Sequence, residues 1–270
     1  MEQRQDQADA GYKLYRTPED DFYYGQRQII TYNRTAQPSY HYEPLTQADF
    51  LNPQAMDEFA HGPRHEADVA YVHGIFRQHY RGNPLVTIYR NAKMLWDVED
   101  LPQPAPDLAL VIGIESWASE PTQFDVRALG QRPRFVLEVV SPRFVEADLV
   151  EKVTIYQQAG VQEYFIVDSG EREDTTTINY QILGYRLVKG SYQPITPESD
   201  GRVYSKVNRL WLLPNVTHDG ISAISERTGK PVIPDADSLT TVAAARAEAT
   251  FRATAIAAQL NFLEADSDNP

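Results

Sequence analysis

At 270 residues, 42% hydrophobic and 23% charged, the chain has the composition of an ordinary soluble globular protein, with room for one or two domains. A formal net charge of −13 argues against a general nucleic-acid coat protein, whose affinity comes from neutralising phosphates, but not against an enzyme that meets DNA through one locally basic face. Without cysteine there is no disulfide, no thiolate zinc site and no cysteine nucleophile.

The opening residues Met1 to Asp6 are polar and lack the apolar stretch of a signal peptide. No apolar run approaches the roughly 20 residues that cross a bilayer. These features, with the missing cysteines, predict a cytoplasmic protein with no membrane partner. Residues 1–43 read as a polar arm rich in tyrosine, with a strand at 28–32. Its tyrosines, Tyr32, Tyr40 and Tyr42 among them, serve either as stacking platforms for bases or, more commonly, as anchors on a domain surface.

A core follows over 44–214. Residues 46–51 form a short N-capped helix stopped by Asn52-Pro53. Val69, Val72, Phe76 and Tyr80 recur at helical spacing, predicting a helix over 65–80 that ends at Arg81-Gly82-Asn83-Pro84. Segments 85–89 and 92–96 are predicted as a hairpin across Arg90-Asn91, and 107–112 as a strand. A long polar excursion over 113–133 leads to Phe135-Val136-Leu137-Glu138-Val139-Val140, an apolar strand closed by Ser141-Pro142. A helix over 145–159 with Gly160 as its C-cap, a buried strand over 164–168, and strands at 178–188, 192–195, 203–204 and 210–213 complete the core. Residues 215–237 read as a linker, 238–263 as an alanine-rich helix and 264–270 as a disordered tail. Such a helix needs a surface, on its own domain or on a partner chain, so a homodimer is one expectation. The fold class predicted is mixed α/β, a central sheet flanked by helices.

Glu138 is the residue that asks for an explanation. A carboxylate in a buried strand costs on the order of several kcal/mol unless a cation, a metal or good donors face it. Pro106-Asp107 opens the preceding strand with a second carboxylate, and Lys152 lies on the following helix between Asp148 and Tyr156, one turn to either side. Two carboxylates on neighbouring strands suit a hard divalent cation. A nearby lysine orients or deprotonates an attacking water, or stabilises charge at phosphorus. Each residue also has a plain reading: Asp107 as a strand-start cap, Glu138 as a paired structural acid, Asp148 and Lys152 as a surface ion pair. His65 reads equally as a helix cap or as a contact to metal or phosphate. Arg127, Arg132, Arg134 and Arg143 flank the Glu138 strand as the one basic neighbourhood, with Arg134 and Arg143 as candidate phosphate contacts, or as a solvated rim. His61 and His65 are four apart, but Gly62-Pro63 argues against one continuous helix there, so the pair is not read as metal ligands, and neither are His41, His73, His79 and His218.

Taken together, Pro106-Asp107, Glu138-Val139-Val140-Ser141-Pro142, Asp148 with Lys152 and Tyr156, and Gly160 through Asp168 resemble the Uma family of restriction-endonuclease-like proteins, common in cyanobacteria and part of the PD-(D/E)XK nuclease superfamily. The resemblance spans roughly 44–214, and includes the stretch from Pro44 to Leu51 and His65-Glu66. It implies a restriction-endonuclease-like mixed sheet and a Mg²⁺- or Mn²⁺-dependent endonuclease that cleaves DNA by in-line attack of water. Asp107 and Glu138 would be metal ligands, Lys152 the catalytic lysine and Glu66 the upstream acid. The superfamily lysine two positions after Glu138 is Val140 here; the family's own lysine lies on the next helix, where Lys152 matches it. The alternative is a catalytically inactive nuclease-fold module that binds nucleic acid or protein.

Overall fold

The computed structural model describes residues 20–33, 35–114, 122–171, 178–215, 220–234 and 239–240. It divides into two compact units. The first contains a three-stranded antiparallel sheet in the order β2-β1-β3, made of β1 (Gly25–Tyr32), β2 (Pro38–Pro44) and β3 (Asp57–Phe59). The strand expected at 28–32 is therefore longer, and the segment after it returns as its antiparallel partner rather than as an extended arm. Arg27 clamps Asp57 with two nitrogens, at 2.6 and 2.9 Å, which holds β3 on β1. Tyr32, Tyr40 and Tyr42 are exposed on this sheet.

The second unit carries a six-stranded mixed sheet in the order β11-β10-β9-β8-β6-β4. Before it come α1 (Gln47–Leu51) and α2 (Pro63–His79), the latter starting on Pro63, where a missing N–H costs nothing. The strands are β4 (Val86–Tyr89), β6 (Leu108–Ile112), β8 (Phe135–Val139), β9 (Glu163–Asp168), β10 (Gln181–Val188) and β11 (Ser191–Pro194). Within this sheet only β8 and β9 run parallel; its other neighbouring pairs are antiparallel. The parallel pair needs a crossover, supplied by a π-helical turn at Ala147–Glu151 and α4 (Lys152–Gln158). One helix was expected over 145–159; the first half is instead a π turn, a geometry that tends to occur at functional sites.

Side chains alternate along β8 and so divide the core in two. Phe135, Leu137 and Val139 face α2, while Val136 and Val140 face α4. A small antiparallel sheet of β12 (Val203–Ser205), β13 (Leu210–Asn215) and β14 (Gly220–Ser225) adds Val203, Leu212, Ile221 and Ala223 to the first core. Strand β14 falls in the stretch read as a linker. Its alternating Ile221, Ala223 and Ser225 are buried, which is why it pairs instead of trailing.

The expected hairpin over 85–96 does not form. β4 joins β6, whereas β5 (Lys93–Leu95) turns away and pairs in parallel with β7 (Gln123–Asp125). Met94 and Trp96 go to the second core, and Asn91 takes a positive φ of 50° to make the exit. β7 and α3 (Val126–Leu129), capped by Asp125 at one end and left-handed Gly130 at the other, give order to part of the polar excursion. The alanine-rich stretch 238–263 and the tail lie outside the described residues apart from 239–240. Among the described residues no helix is long and apolar enough to cross a membrane.

Candidate active site

The site starts from a strand register. Leu108 faces Leu137 and Ala109 faces Val136, so the residue before β6, Asp107, comes opposite Glu138. Backbone hydrogen bonds lock the two acids in place. The Asp107 N–H donates to Glu138 Oε2 at 3.3 Å, and the Val139 N–H donates to Asp107 Oδ2 at 2.8 Å. Glu138 shares its strand face with Val136 and Val140, and therefore points at α4.

From α4, Lys152 and Tyr156 reach the same oxygen. Lys152 Nζ lies 3.0 Å from Glu138 Oε1, and the Tyr156 hydroxyl donates to Oε1 at 2.5 Å. Asp148, one turn before Lys152, takes its ammonium at 2.8 Å. That ammonium also sits 4.0 Å above the Phe50 ring, itself stacked on Phe144. Glu138, Asp148 and Lys152 are each about 1% exposed. The reading of Asp148 and Lys152 as a surface ion pair is thus corrected: the pair is buried, and its second role is to bring a charge to Glu138.

His65, in the first turn of α2, closes the other side. Its Nε2 is 3.4 Å from Asp107 Oδ2, and its ring stacks on His61 at 4.1 Å with only 9° between planes. The break at Gly62-Pro63 therefore does not keep the two histidines apart. Glu66 is more peripheral and half exposed: its carboxylate is 3.8 Å from His65 Nδ1, too long for a hydrogen bond, and Arg90 donates to it at 3.3 Å.

The charges sort themselves by neighbours. Burial pushes Glu138 up, and Asp107 and Asp148 add to it beyond what Lys152 and Tyr156 take back, leaving its carboxyl at about 8. Burial also raises Asp148, against Lys152. Asp107 goes the other way: burial would raise it, but His65 and Lys152 hold it well below the usual range. Burial would lower His65, yet Asp107 and then Glu66 bring it up to about 10. Lys152 is likewise raised, its three carboxylates outweighing burial. His61 is driven down by burial first and then by charged His65, Lys152 and Arg143. The stacked rings are thus pushed in opposite directions, His65 toward holding its proton and His61 toward losing it.

The structure brings Asp107, Glu138, Lys152 and His65 together, with Glu66 at the margin and Arg143 near enough to act on His61. The four arginines do not form one basic rim. Arg132 is bound to Asp97 and to the Ala159 carbonyl, Arg127 is exposed on α3, and Arg134 precedes β8 at its opposite end. Asp168 caps the turn after β9 by accepting from the Gly170 N–H. Tyr156, Asp148, Phe50 and His61 were not assigned roles from sequence; for Asp148 and Tyr156 the signal was their four-residue spacing from Lys152.

Among the described residues no group of three or more His, Asp or Glu side chains is gathered to hold a metal. The donor set nevertheless fits a hard cation held by two carboxylates, with water and substrate oxygens completing it. Three buried carboxyl groups lie beside buried Lys152 and His65, and Asp148 Oδ2 has no hydrogen-bond partner among the described residues. Once Glu138 gives up its proton the cluster is one positive charge short, the charge a bound cation would supply.

Residues 54–212, more than half of the chain, match the family model Uma2, described as "Putative restriction endonuclease", and the chain belongs to that family. No curated protein matches it. A solved structure described as a "putative nuclease belonging to DUF820" from Anabaena variabilis ATCC 29413 is similar at 14% identity and a TM-score of 0.42, covering 61% of this chain and 91% of that chain.

Proposed function

We propose that this Uma2 protein is a Mg²⁺-dependent endonuclease, with Mn²⁺ as a substitute, that hydrolyses DNA phosphodiester bonds. The observation that supports it is the register placing Asp107 opposite Glu138 with Lys152 Nζ at 3.0 Å from the latter. Asp107 and Glu138 would hold the cation, which when bound polarises the phosphate and lowers the pKa of a water.

The chain's own groups do the rest. Lys152 keeps its proton against three carboxylates, so its part is to stabilise negative charge gathering on the phosphoryl oxygens rather than to act as a base. Asp148 and Phe50 fix where that charge stands, and Tyr156 fixes the Glu138 oxygen that faces it. His65, cationic beside Asp107, offers a donor to a phosphate, and Arg143, near enough to act on His61, would be a second contact. Glu66, at the margin beside His65, is the remaining acid of the proposed site. Cytoplasmic action and a homodimer belong to the same reading, and sedimentation of the full chain tests the latter.

The direct experiment incubates the protein with supercoiled, linear and single-stranded DNA and with RNA, in Mg²⁺, Mn²⁺ or EDTA. Cleavage of DNA that needs the metal and disappears in Glu138→Gln is the expected result; no cleavage of any substrate sinks the catalytic reading. One observation favours the second reading, a non-catalytic binding module: Lys152 and Tyr156 already occupy Glu138 Oε1. A module of that kind takes up no Mg²⁺, so metal titration separates the two.

A further inference from the structure

The carboxylate cluster uses one end of the six-stranded sheet. At the other end, where β6 finishes and β8 and β9 begin, a cavity of about 430 Å³ opens, bordered by Arg134, Gln162, Arg186 and Lys206. We propose that this cavity binds a phosphate-bearing small molecule of roughly mononucleotide size.

The wall is built around a buried acid whose charge is fully used. Glu163, 1% exposed, accepts from Arg186 Nε at 2.8 Å, the Ser205 hydroxyl at 2.6 Å and the backbone N–H groups of Lys206 and Val207 at 3.0 and 3.2 Å. Arg186 also donates to the Tyr204 carbonyl at 3.0 Å. Five donor bonds hold Arg186 and the 205–207 turn in fixed positions, and Glu163 is left with no appetite for further cations. Arg134 and Lys206 are different. Both are exposed at the mouth, and among the described residues neither side chain has a hydrogen bond or an ion pair. Two unpaired cations around one concavity stand out in a chain of net charge −13.

An arginine fork beside a lysine point charge is the pairing that suits a phosphate group, with the Gln162 amide as a further donor. Ile112, Leu187 and Val207 supply an apolar wall for the part of the ligand that carries the phosphate. The volume lies within the roughly 300–1,000 Å³ typical of small-molecule pockets. Arg134 is four residues before Glu138, roughly 13 Å along a strand at about 3.3 Å per residue, so a ligand here does not touch the carboxylates. The site stands apart from the proposed nuclease centre and does not depend on it.

Calorimetric titration of the full chain in EDTA, so that no divalent metal is present, tests the assignment with pyrophosphate, AMP and adenosine. Saturable binding of pyrophosphate or AMP, absent for adenosine, is expected. The double variant Arg134→Gln with Lys206→Gln should weaken it at least tenfold. Arg81→Gln with Lys230→Gln, an equal charge loss at exposed positions elsewhere, should leave it within twofold. No saturable binding of either phosphate ligand, equal binding of adenosine, or equal weakening in both double variants overturns the proposal. So does a single-stranded oligonucleotide that needs Arg134 and Lys206 when pyrophosphate and AMP do not bind.

Discussion

The Tyr156 hydroxyl donates to Glu138 Oε1 at 2.5 Å, in a pocket where neither residue is more than about 1% exposed. This bond favours the charged carboxylate, against the burial and the two neighbouring acids that favour the neutral one. Tyr156→Phe removes it without removing the ring that packs against Trp96 and Tyr164. The metal-free protein should lose about 1–3 kcal/mol of stability, the range for leaving a buried acceptor short of a donor. Urea unfolding near neutral pH measures it, and an unchanged midpoint would show that the bond carries no weight.

The site also fixes how stability depends on pH. Folded, Glu138 keeps its proton up to about 8, against 4.5 for an ordinary glutamate, so folding takes up a proton between those values and stability drains as pH rises through about 8. His65 acts in the same direction: raised from 6.5 to about 10, its contribution is whole below 6.5 and is lost as pH climbs through about 10. Asp107, depressed from 3.8, contributes above that value and loses its share only in acid. Melting of the metal-free protein should therefore shift to lower temperature between about pH 7 and pH 10. On the proposed function, Mg²⁺ must displace the Glu138 proton and should bind more tightly as pH approaches 8. Calorimetry near pH 7 in two buffers of different ionisation enthalpy reads the released proton, and heats that agree in both buffers would contradict the expectation.

Lys152→Met strands Glu138 and Asp148 without their cation. Breaking a buried pair from one side costs about 3–5 kcal/mol, and the deficit should shrink as pH falls, because acids that have lost their cation hold protons more tightly. If Lys152 stabilises charge at phosphorus, cleavage falls by about 10²–10³ as well. Denaturant unfolding at two pH values together with a cleavage assay separates the two effects. A variant that folds normally and cuts at the parental rate removes Lys152 from the mechanism.

The fold itself is tested at Gly184 on β10. A Cβ there would meet Val203 Cγ1 at 3.0 Å, Ile195 Cδ1 at 3.1 Å and Phe165 Cζ at 3.3 Å. Gly184→Ala should destabilise by about 1–3 kcal/mol through overpacking between the large sheet and β12. Thermal melting decides; an alanine that is neutral or stabilising would mean this contact is looser than the geometry says.

The sequence was legible where period and chemistry agree. The apolar run from Phe135 to Val140 marked a buried strand with Glu138 inside it, and four-residue spacing put Asp148, Lys152 and Tyr156 on one helical face, so their meeting needed only that helix and strand be opposed. It was not legible where backbone geometry intervenes. The π turn at Ala147–Glu151 has no residue pattern of its own, and Gly62-Pro63 breaks a helix without separating the rings of His61 and His65. Arg134 shows a different limit. Four residues along a chain looks near, but in a strand it is roughly 13 Å, the distance between two ends of a sheet. The hairpin expected at 85–96 failed because Met94 and Trp96 had a second core to fill, and nothing local announces that core.

The pairing of Asp107 with Glu138 is drawn by the same ladder that aligns β6 with β8. Sliding β8 by a single residue would turn Glu138 toward α2 and send Val139 to meet Lys152. The chain thus has no way to assemble its two main strands correctly and its acids wrongly. A misaligned sheet would be a blank one, with charge on the greasy side and a lysine facing valine, and the cost of that arrangement works as a proofreading step for folding.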